Sequence, residues 1–148
     1  MLIVALDKNG VAFWELLRRN ETVDGIRYRQ FLEDHMRPWL RHRGHRVPLI
    51  LQDNARPHTS KLVSNFVREK GWEVLPHAPY SPDMHPCDYW GISKIKDPNR
   101  GIRFASWDEM RAAIEKTILS INLESLKKGV IDLPNKWEQV VEKEGHYI

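Results

Sequence analysis

One stretch of the sequence is the most informative about the fold: Leu49-Ile50-Leu51-Gln52-Asp53-Asn54-Ala55-Arg56-Pro57-His58. An apolar run of strand length ends at Asp53, and a polar, proline-containing segment follows it. A second aspartate, Asp88, ends a proline-rich loop over residues 76–87 and precedes a predicted helix. Two carboxylates in these places supply the hard oxygen ligands that Mg²⁺ prefers. The pattern therefore predicts a Mg²⁺ site of the kind that serves phosphodiester cleavage and transfer.

Strand-length apolar runs outline a sheet on either side of this stretch. Asn9-Gly10 predicts a tight hairpin turn, because both central residues of such a turn need a positive φ. The nearly continuous apolar run that ends at Gln52 predicts a central strand buried on both faces. Strands are predicted in four segments: Leu2–Leu6, Val11–Leu17, Val47–Gln52 and Trp72–Leu75.

Helical periodicity and capping residues fill the rest of the chain. Pro38 is expected to kink or end the first helix, and Leu62 and Val141 are expected to face inward. Helices are predicted from Thr22 or Asp24 to Met36, from Ser60 to Lys70, from Cys87 or Asp88 onward, from Ser106 to Ile121, from Leu123 to Lys128 and from Pro134 to Lys143. This order predicts an α/β protein with a mixed sheet flanked by helices.

The composition sets outer limits on the interpretation. A chain of 148 residues with 41% hydrophobic and 29% charged residues suits one soluble domain with one core. No apolar run approaches the roughly 18 residues of a membrane span, and the first residues do not resemble a signal peptide. The single cysteine, Cys87, excludes an internal disulfide and a cysteine-rich zinc site.

The charge is mildly basic, with a formal net charge of +3 and a pI of about 9.1. Such a charge permits nucleic-acid binding but does not require it. The densest basic segment, residues 41–46, is interpreted as a solvated loop, with a DNA contact as the alternative.

Four short segments, taken with their separation, resemble the catalytic domain of mariner-type transposases: Gln52–His58, Gly71–His77, Tyr80–Asp83 and Asp88-Tyr89. The resemblance is collinear from about Met1 to Tyr147, and the 34 residues between Asp53 and Asp88 match the family's spacing. It implies an α/β, RNase H-like fold with a mixed sheet flanked by helices, and three metal-binding carboxylates.

By this resemblance Asp53 is the second metal ligand and Asp88 the third, and both are catalytic. The resemblance implies Mg²⁺ or Mn²⁺ as cofactor, with water as the nucleophile for cleavage and a DNA 3′-hydroxyl for strand transfer. It also implies DNA as the partner, a nuclear location and a possible homodimer. No membrane and no small-molecule substrate are expected.

The departures from the family pattern define the rest of the hypothesis. The family's first carboxylate lies on the central first strand, and this chain is expected to begin at the second strand. We therefore expect residues 1–148 to be one partial catalytic domain without the family's helix-turn-helix domains, inactive alone. The alternatives are a non-catalytic nucleic-acid-binding or interaction module derived from the same fold, and a decayed remnant that folds poorly.

Several residues near the two aspartates keep open alternatives. Asn54, Arg56 and His58 either contact phosphate, or support the metal ligands, or shape the strand-to-helix loop. Asp7 and Asp83 are interpreted as structural turn residues. Three smaller departures are Gln52 and Cys87, where the family usually has His and Ser, and Gly91, where a glycine in a helix costs about 1 kcal/mol relative to alanine.

The hypothesis leads to three expectations about the molecule. The carboxylates of Asp53 and Asp88 should converge at one edge of the sheet, while Asp7 and Asp83 point elsewhere. The chain should not nick supercoiled DNA in Mg²⁺ or Mn²⁺, because a two-metal site needs a third ligand. Without a central strand, the chain should be marginally stable and should self-associate.

Overall fold

The chain folds into two compact units. The structure, a computed structural model, describes residues 1–44, 47–121 and 123–148. The Asp53 unit consists of Asn20–Ser81 together with Met1, and the Asp88 unit consists of Leu2–Arg19 and Pro82–Ile148. That the whole chain forms one domain stays a prediction.

The described part of the chain contains short strands, all of them before residue 75, and helices. The strands are Leu2–Asp7 (β1), Gly10–Leu16 (β2), Leu49–Ile50 (β3) and Glu73–Val74 (β4). The α-helices are Gly25–Phe31 (α1), Arg37–Arg43 (α2), Arg56–Thr59 (α3), Lys61–Glu69 (α4), Ile92–Lys96 (α5), Trp107–Ser120 (α6), Leu123–Ile131 (α7) and Leu133–Glu142 (α8). Two π-helical turns, Leu32–Met36 and Cys87–Gly91, and two 3₁₀ turns, Pro82–Met84 and Asp97–Asn99, complete the helical segments. No helix in the described ranges is long and apolar enough to cross a membrane.

The predicted opening hairpin is present, with a different turn. Strands β1 and β2 pair antiparallel, with Asp7 opposite Gly10. The turn lies one residue earlier than Asn9-Gly10, and Gly10, with a φ of 121°, already belongs to β2. Asp7 closes the turn, because its Oδ1 accepts a hydrogen bond from the Asn9 backbone amide at 2.7 Å. A side-chain acceptor thus replaces the mirror-image turn that Asn-Gly predicted.

Pro38 does not end the first long helical segment. Helix α1 passes into the π-helical turn, and α2 then continues to Arg43 with Pro38 in its first turn. Proline is tolerated in a first turn, where its missing N–H has no intrahelical partner. The π-helical turn changes the hydrogen-bonding pattern just before the proline, so the chain remains helical across it.

The predicted central strand is shorter and more exposed than expected. Strands β3 and β4 pair in parallel, with Leu49 opposite Glu73. The prediction of burial on both faces is wrong, because Ile50 is 7% exposed but Leu49 is 61% exposed. In the described chain β3 has one strand neighbour, β4. A strand of two residues places one side chain on each face, and only the face of Ile50 is covered.

Two helices have narrower apolar faces than the sequence predicted. Helix α4 has its N-cap at Ser60 and ends before Gly71. Its residues Val63, Phe66 and Val67 are buried, but Leu62 is 44% exposed. In α8 the predicted inward residue Val141 is 76% exposed. Each exposed residue adjoins a more buried apolar neighbour, and about 100° of rotation per residue turns one of the two outward.

The core of the Asp88 unit joins the hairpin to the later helices. Its fully buried members are Leu16 of β2, Ile95 of α5 and Ile114 of α6. Trp107, at the start of α6, packs against this cluster, and its Nε1 donates a hydrogen bond to the Leu17 carbonyl at 3.1 Å. Ser106 caps α6 as predicted, since its Oγ accepts from the Glu109 amide at 3.1 Å. The Glu109 side chain accepts from the Ala105 amide at 2.6 Å instead of the Ser106 amide that a full capping box would use.

Two helical glycines of the Asp88 unit lie close to the side chains of other residues. A Cβ at Gly91 would lie 2.6 Å from Leu6 Cδ1 of β1, and a Cβ at Gly129 would lie 2.8 Å from the Trp90 ring. Both distances are shorter than a carbon–carbon contact allows. The glycine at position 91, which looked unfavourable in the sequence, is explained by this close approach of the π-helical turn to the hairpin.

Candidate metal centre

Asp53 lies in the loop between β3 and α3, and two hydrogen-bond donors meet on its Oδ1. Oδ1 accepts a hydrogen bond from the Ala55 amide at 3.1 Å and lies 2.6 Å from His58 Nδ1. A carboxylate can only accept, so Nδ1 carries a hydrogen and donates it. The bond to Ala55 forms an Asx turn that shapes the start of α3. The side chain of Asp53 remains 46% exposed, so the carboxylate is both anchored and open to solvent.

His58 is itself held by Tyr28 of α1 and by Gln52, which precedes Asp53 in the loop after β3. Its ring packs on the ring of Tyr28, with the centroids 4.2 Å apart. The Tyr28 hydroxyl donates to Gln52 Oε1 at 2.9 Å, and Gln52 Nε2 donates to the His58 carbonyl at 3.3 Å. These contacts connect α1, the Asp53 loop and α3.

The three residues nominated for DNA contact have different surroundings. Asn54 Nδ2 donates to the His77 carbonyl at 2.8 Å, which ties the Asp53 loop to the loop after β4. His58 contacts Asp53. Arg56 is exposed, and its guanidinium makes no hydrogen bond or ion pair with another described residue. Arg56 therefore offers the most accessible charge of the three, and nucleic-acid binding by any of them stays a prediction.

A groove of about 670 Å³ opens within the Asp53 unit beside these residues. Its lining includes Asp53, Asn54 and His58 together with Trp72 and His77. The groove leaves Asp53 accessible to a ligand larger than water.

Asp88 is presented in a different way. It is the second residue of the π-helical turn Cys87–Gly91, and such turns are frequent at functional sites. Its side chain is 44% exposed, and Oδ2 lies 3.5 Å from Nδ1 of the buried His85. That distance is longer than an ordinary hydrogen bond, and the contact is an ion pair only when the imidazole carries a second hydrogen. The sequence interpretation missed His85, although its i, i+3 spacing to Asp88 places the two on one face of a helical turn.

Tyr89, next to Asp88, anchors the turn to α7. Its hydroxyl donates a hydrogen bond to the Gly129 carbonyl. Burial, with additional effects of the charges of Asp132 and Cys87, raises the pKa of Tyr89 to about 12. The hydroxyl therefore stays protonated, and able to donate, at neutral pH.

Asp83 and Asp7 have structural partners, in agreement with their interpretation as turn residues. Asp83 lies in the 3₁₀ turn Pro82–Met84, is 5% exposed, and accepts a hydrogen bond from the Ile148 amide at 3.1 Å. Asp7 closes the hairpin turn. Asp83 is therefore buried, and both carboxylate oxygens of Asp7 accept hydrogen bonds from Asn9.

The basic segment over residues 41–46 is described in part. Residues 41–44 are exposed at the end of α2, as a solvated segment would be. His45 and Arg46 lie outside the described residues, and the DNA-contact alternative stays open.

The donor chemistry at the two aspartates suits Mg²⁺ or Mn²⁺, which favour carboxylate oxygens together with water. Each carboxylate is about half exposed, and each has one histidine Nδ1 beside it. Across residues 1–44, 47–121 and 123–148, no group of three or more His, Cys, Asp or Glu residues lies close enough to hold a metal ion. Asp53 and Asp88 belong to different units, and their convergence on a shared cation stays a prediction.

Comparison with known proteins places these residues in a family context. No protein-family model matches the chain. The Mariner Mos1 transposase of Drosophila mauritiana is 36% identical over 154 residues, which cover 100% of this chain and 44% of the transposase. This chain therefore spans less than half the length of that relative.

Solved structures extend the similarity to the fold. The crystal structure of the catalytic domain of Mos1 mariner transposase matches with a TM-score of 0.90 and 35% identity, covering 99% of this chain and 74% of that chain. The crystal structure of the Mos1 mariner paired-end complex with Mn matches with a TM-score of 0.92 and 34% identity, covering 99% and 44%. The predicted α/β, RNase H-like fold class is thereby confirmed.

Proposed function

Because the chain belongs to the mariner-type transposases and matches their catalytic domain, we propose that it serves Mg²⁺- or Mn²⁺-dependent DNA cleavage and strand transfer in transposition. The observation that supports this most directly is the pair of partly exposed carboxylates, Asp53 and Asp88, each within a segment that resembles the family. Buried aspartates such as Asp83 would not be available to a cation.

In this proposal Asp53 and Asp88 hold the divalent cation. When bound, such a cation activates the attacking oxygen and stabilises the charge that develops on the leaving oxygen. The Ala55 amide and His58 keep the Asp53 carboxylate in one orientation. Arg56, exposed at the start of α3, would contact a DNA phosphate through its forked donors.

The proposed partner is transposon-end DNA, since a similar transposase has been crystallised as a paired-end complex. Two copies of the chain would act on a pair of ends, so a homodimer is proposed as the working assembly. A protein that acts on chromosomal DNA would work in the nucleus.

The second candidate function is a non-catalytic nucleic-acid-binding or interaction module. One observation favours it for the chain as described, namely the absence of a three-residue metal cluster among the described residues. A metal site with fewer ligands binds the cation weakly, and a two-metal reaction would not proceed.

A chimaera separates the two candidates. The segment of the Drosophila mauritiana Mos1 transposase that matches this chain is replaced by the chain, and excision of a marked transposon is measured. The catalytic proposal expects excision, lost on Asp53→Ala or Asp88→Ala and kept on Glu138→Ala, which removes an exposed carboxylate of α8. Excision that survives Asp53→Ala would contradict the metal-ligand assignment. A chimaera that binds transposon ends without excising them would favour the binding module.

The isolated chain gives a complementary test. We expect no nicking of supercoiled plasmid by the chain in Mg²⁺ or Mn²⁺, because the described residues gather no third ligand. Nicking that disappears on Asp53→Ala would show that another residue of this chain completes the site.

A further inference from the structure

An exposed carboxylate ordinarily rotates among several orientations, and binding a cation fixes one of them at an entropic cost. At Asp53 this rotation is already restricted, because two donors meet on a single oxygen, Oδ1. Two hydrogen bonds to one oxygen set the plane of the carboxylate and so determine where the other oxygen lies. The shorter of the two contacts is that of His58, at 2.6 Å.

We propose that His58 is a positioning residue for the Asp53 carboxylate, and that Tyr28 and Gln52 hold His58 in the orientation this requires. The inference rests on the proposed role of Asp53 as a metal ligand. His58 was one of three candidates for DNA contact, and its Nδ1 is instead directed at Asp53. Outer contacts of this kind orient metal ligands and typically change metal affinity by 10- to 100-fold when removed.

The surroundings of His58 explain why a histidine suits this position. The ring lies against Tyr28, which is 7% exposed, so one face of the imidazole is packed. The backbone of His58 is held by Gln52, whose own amide oxygen is occupied by the Tyr28 hydroxyl. An aromatic ring with a donor at the δ position satisfies both the packing and the hydrogen bond.

Two substitutions separate these features. His58→Phe keeps an aromatic ring against Tyr28 but removes the donor, whereas His58→Asn keeps a donor near the position of Nδ1 and removes the ring. Binding of Mn²⁺ by the chain is measured by electron paramagnetic resonance of the free ion. We expect His58→Phe to weaken Mn²⁺ binding by about 10- to 100-fold and His58→Asn to retain most of it.

Exposed His42 of α2 supplies the matched control. His42→Phe and His42→Asn make the same chemical changes away from Asp53 and should leave Mn²⁺ binding unchanged. Tyr28→Phe keeps the ring beside His58 but removes the bond to Gln52, so it should weaken binding less than His58→Phe does. Circular dichroism of each variant reports whether it is folded.

A measurement on the unsubstituted chain covers the case in which His58→Phe fails to fold. The ¹⁵N chemical shifts of the His58 ring should show a hydrogen on Nδ1, as the contact with Asp53 requires. A ring protonated on Nε2 alone would overturn the inference.

The outcomes distinguish this inference from the proposed function. If Asp53→Asn abolishes Mn²⁺ binding but folded His58→Phe binds as the unsubstituted chain does, the positioning role is wrong and the proposed function stands. If Asp53→Asn binds Mn²⁺ as tightly as the unsubstituted chain does, the metal role of Asp53 is wrong and the positioning role falls with it. Weakening by His58→Asn with none by His58→Phe would make His58 a packing residue only and would also overturn it.

Discussion

One of the two candidate metal ligands is positioned through its side chain and the other through its backbone. Asp53 is fixed through its side chain, because the Ala55 amide and His58 both donate to Oδ1. Asp88 has a looser side-chain contact, with His85 at 3.5 Å, but sits in a turn whose backbone is closely packed. One carboxylate is thus oriented before a cation arrives, whereas the other retains rotational freedom in a fixed place.

The packing around Asp88 shows how its backbone is held. The Tyr89 hydroxyl donates a hydrogen bond to the Gly129 carbonyl, and the Trp90 ring packs against Gly129. Gly91 approaches Leu6 of the hairpin. We therefore expect substitutions around Asp53 to affect mainly metal binding, and substitutions around Asp88 to affect mainly stability.

The largest expected effect is on Mn²⁺ affinity. Asp53→Asn and Asp88→Asn should each weaken binding by more than the roughly 10- to 100-fold typical of an outer contact. The loss should be greater at Asp53, because an oriented ligand contributes more net affinity than one that must be ordered on binding. Titration of both variants by electron paramagnetic resonance compares them. Equal losses would show that anchoring Oδ1 has no effect on affinity.

The next effect is on the stability of the Asp88 turn. Gly129→Ala should lower the free energy of unfolding by about 1–3 kcal/mol, because the added methyl group would overlap the Trp90 ring. Urea denaturation measures the change, and Lys128→Ala, at the exposed neighbouring position of α7, is the control. A Gly129→Ala variant as stable as the unsubstituted chain would mean that Trp90 does not fix the turn.

A smaller effect is expected at the end of the Asp53 loop. Ser60 Oγ caps α4 by accepting from the Val63 amide at 3.4 Å, so Ser60→Ala should lower the free energy of unfolding by about 1 kcal/mol. Ser64→Ala, one turn further into the same helix, lacks this role and should cost nothing. Thermal or urea unfolding of the pair measures the difference, and equal stabilities would contradict the cap.

The smallest effect expected is on the free energy of unfolding at alkaline pH, through Tyr89 of the Asp88 turn. Burial raises the pKa of Tyr89 from 10.0 to about 12, so the folded state binds its proton more tightly than the unfolded state does. The contribution to stability is therefore complete below pH 10 and is lost as the pH rises towards 12. Tyr89→Phe should reduce the pH dependence of the unfolding free energy in this window. An unchanged slope would show that Tyr89 titrates normally.

The sequence predicted the elements that depend on neighbours along the chain. The hairpin, the N-cap at Ser106 and the approximate beginnings of α4, α6, α7 and α8 were predicted from turn residues, capping and helical periodicity. The exposure of Leu49, Leu62 and Val141 could not be predicted, since it depends on which surfaces other elements cover. Continuity of the helix across Pro38 depended on a π-helical turn that has no clear mark in the sequence.

At the candidate site, too, some features could be predicted from the sequence and others could not. Asp53 and Asp88 could be nominated from the sequence, because a carboxylate after an apolar run and another after a proline-rich loop are visible in the order of residues. Their surroundings could not: His58 faces Asp53, Asn54 faces His77, and Arg56 faces solvent, although all three belong to one short segment.

The α/β class, the resemblance to a family and the charged residues of the proposed site could all be read from the sequence, because they depend on residue type and spacing along the chain. Three features are visible only in the folded chain: the contact of His58 with Asp53, the position of His85 beside Asp88, and the packing of Trp90 against Gly129. The reason is that hydrogen bonds and close packing depend on distances through space, and those distances are set only when separate segments of the chain come together.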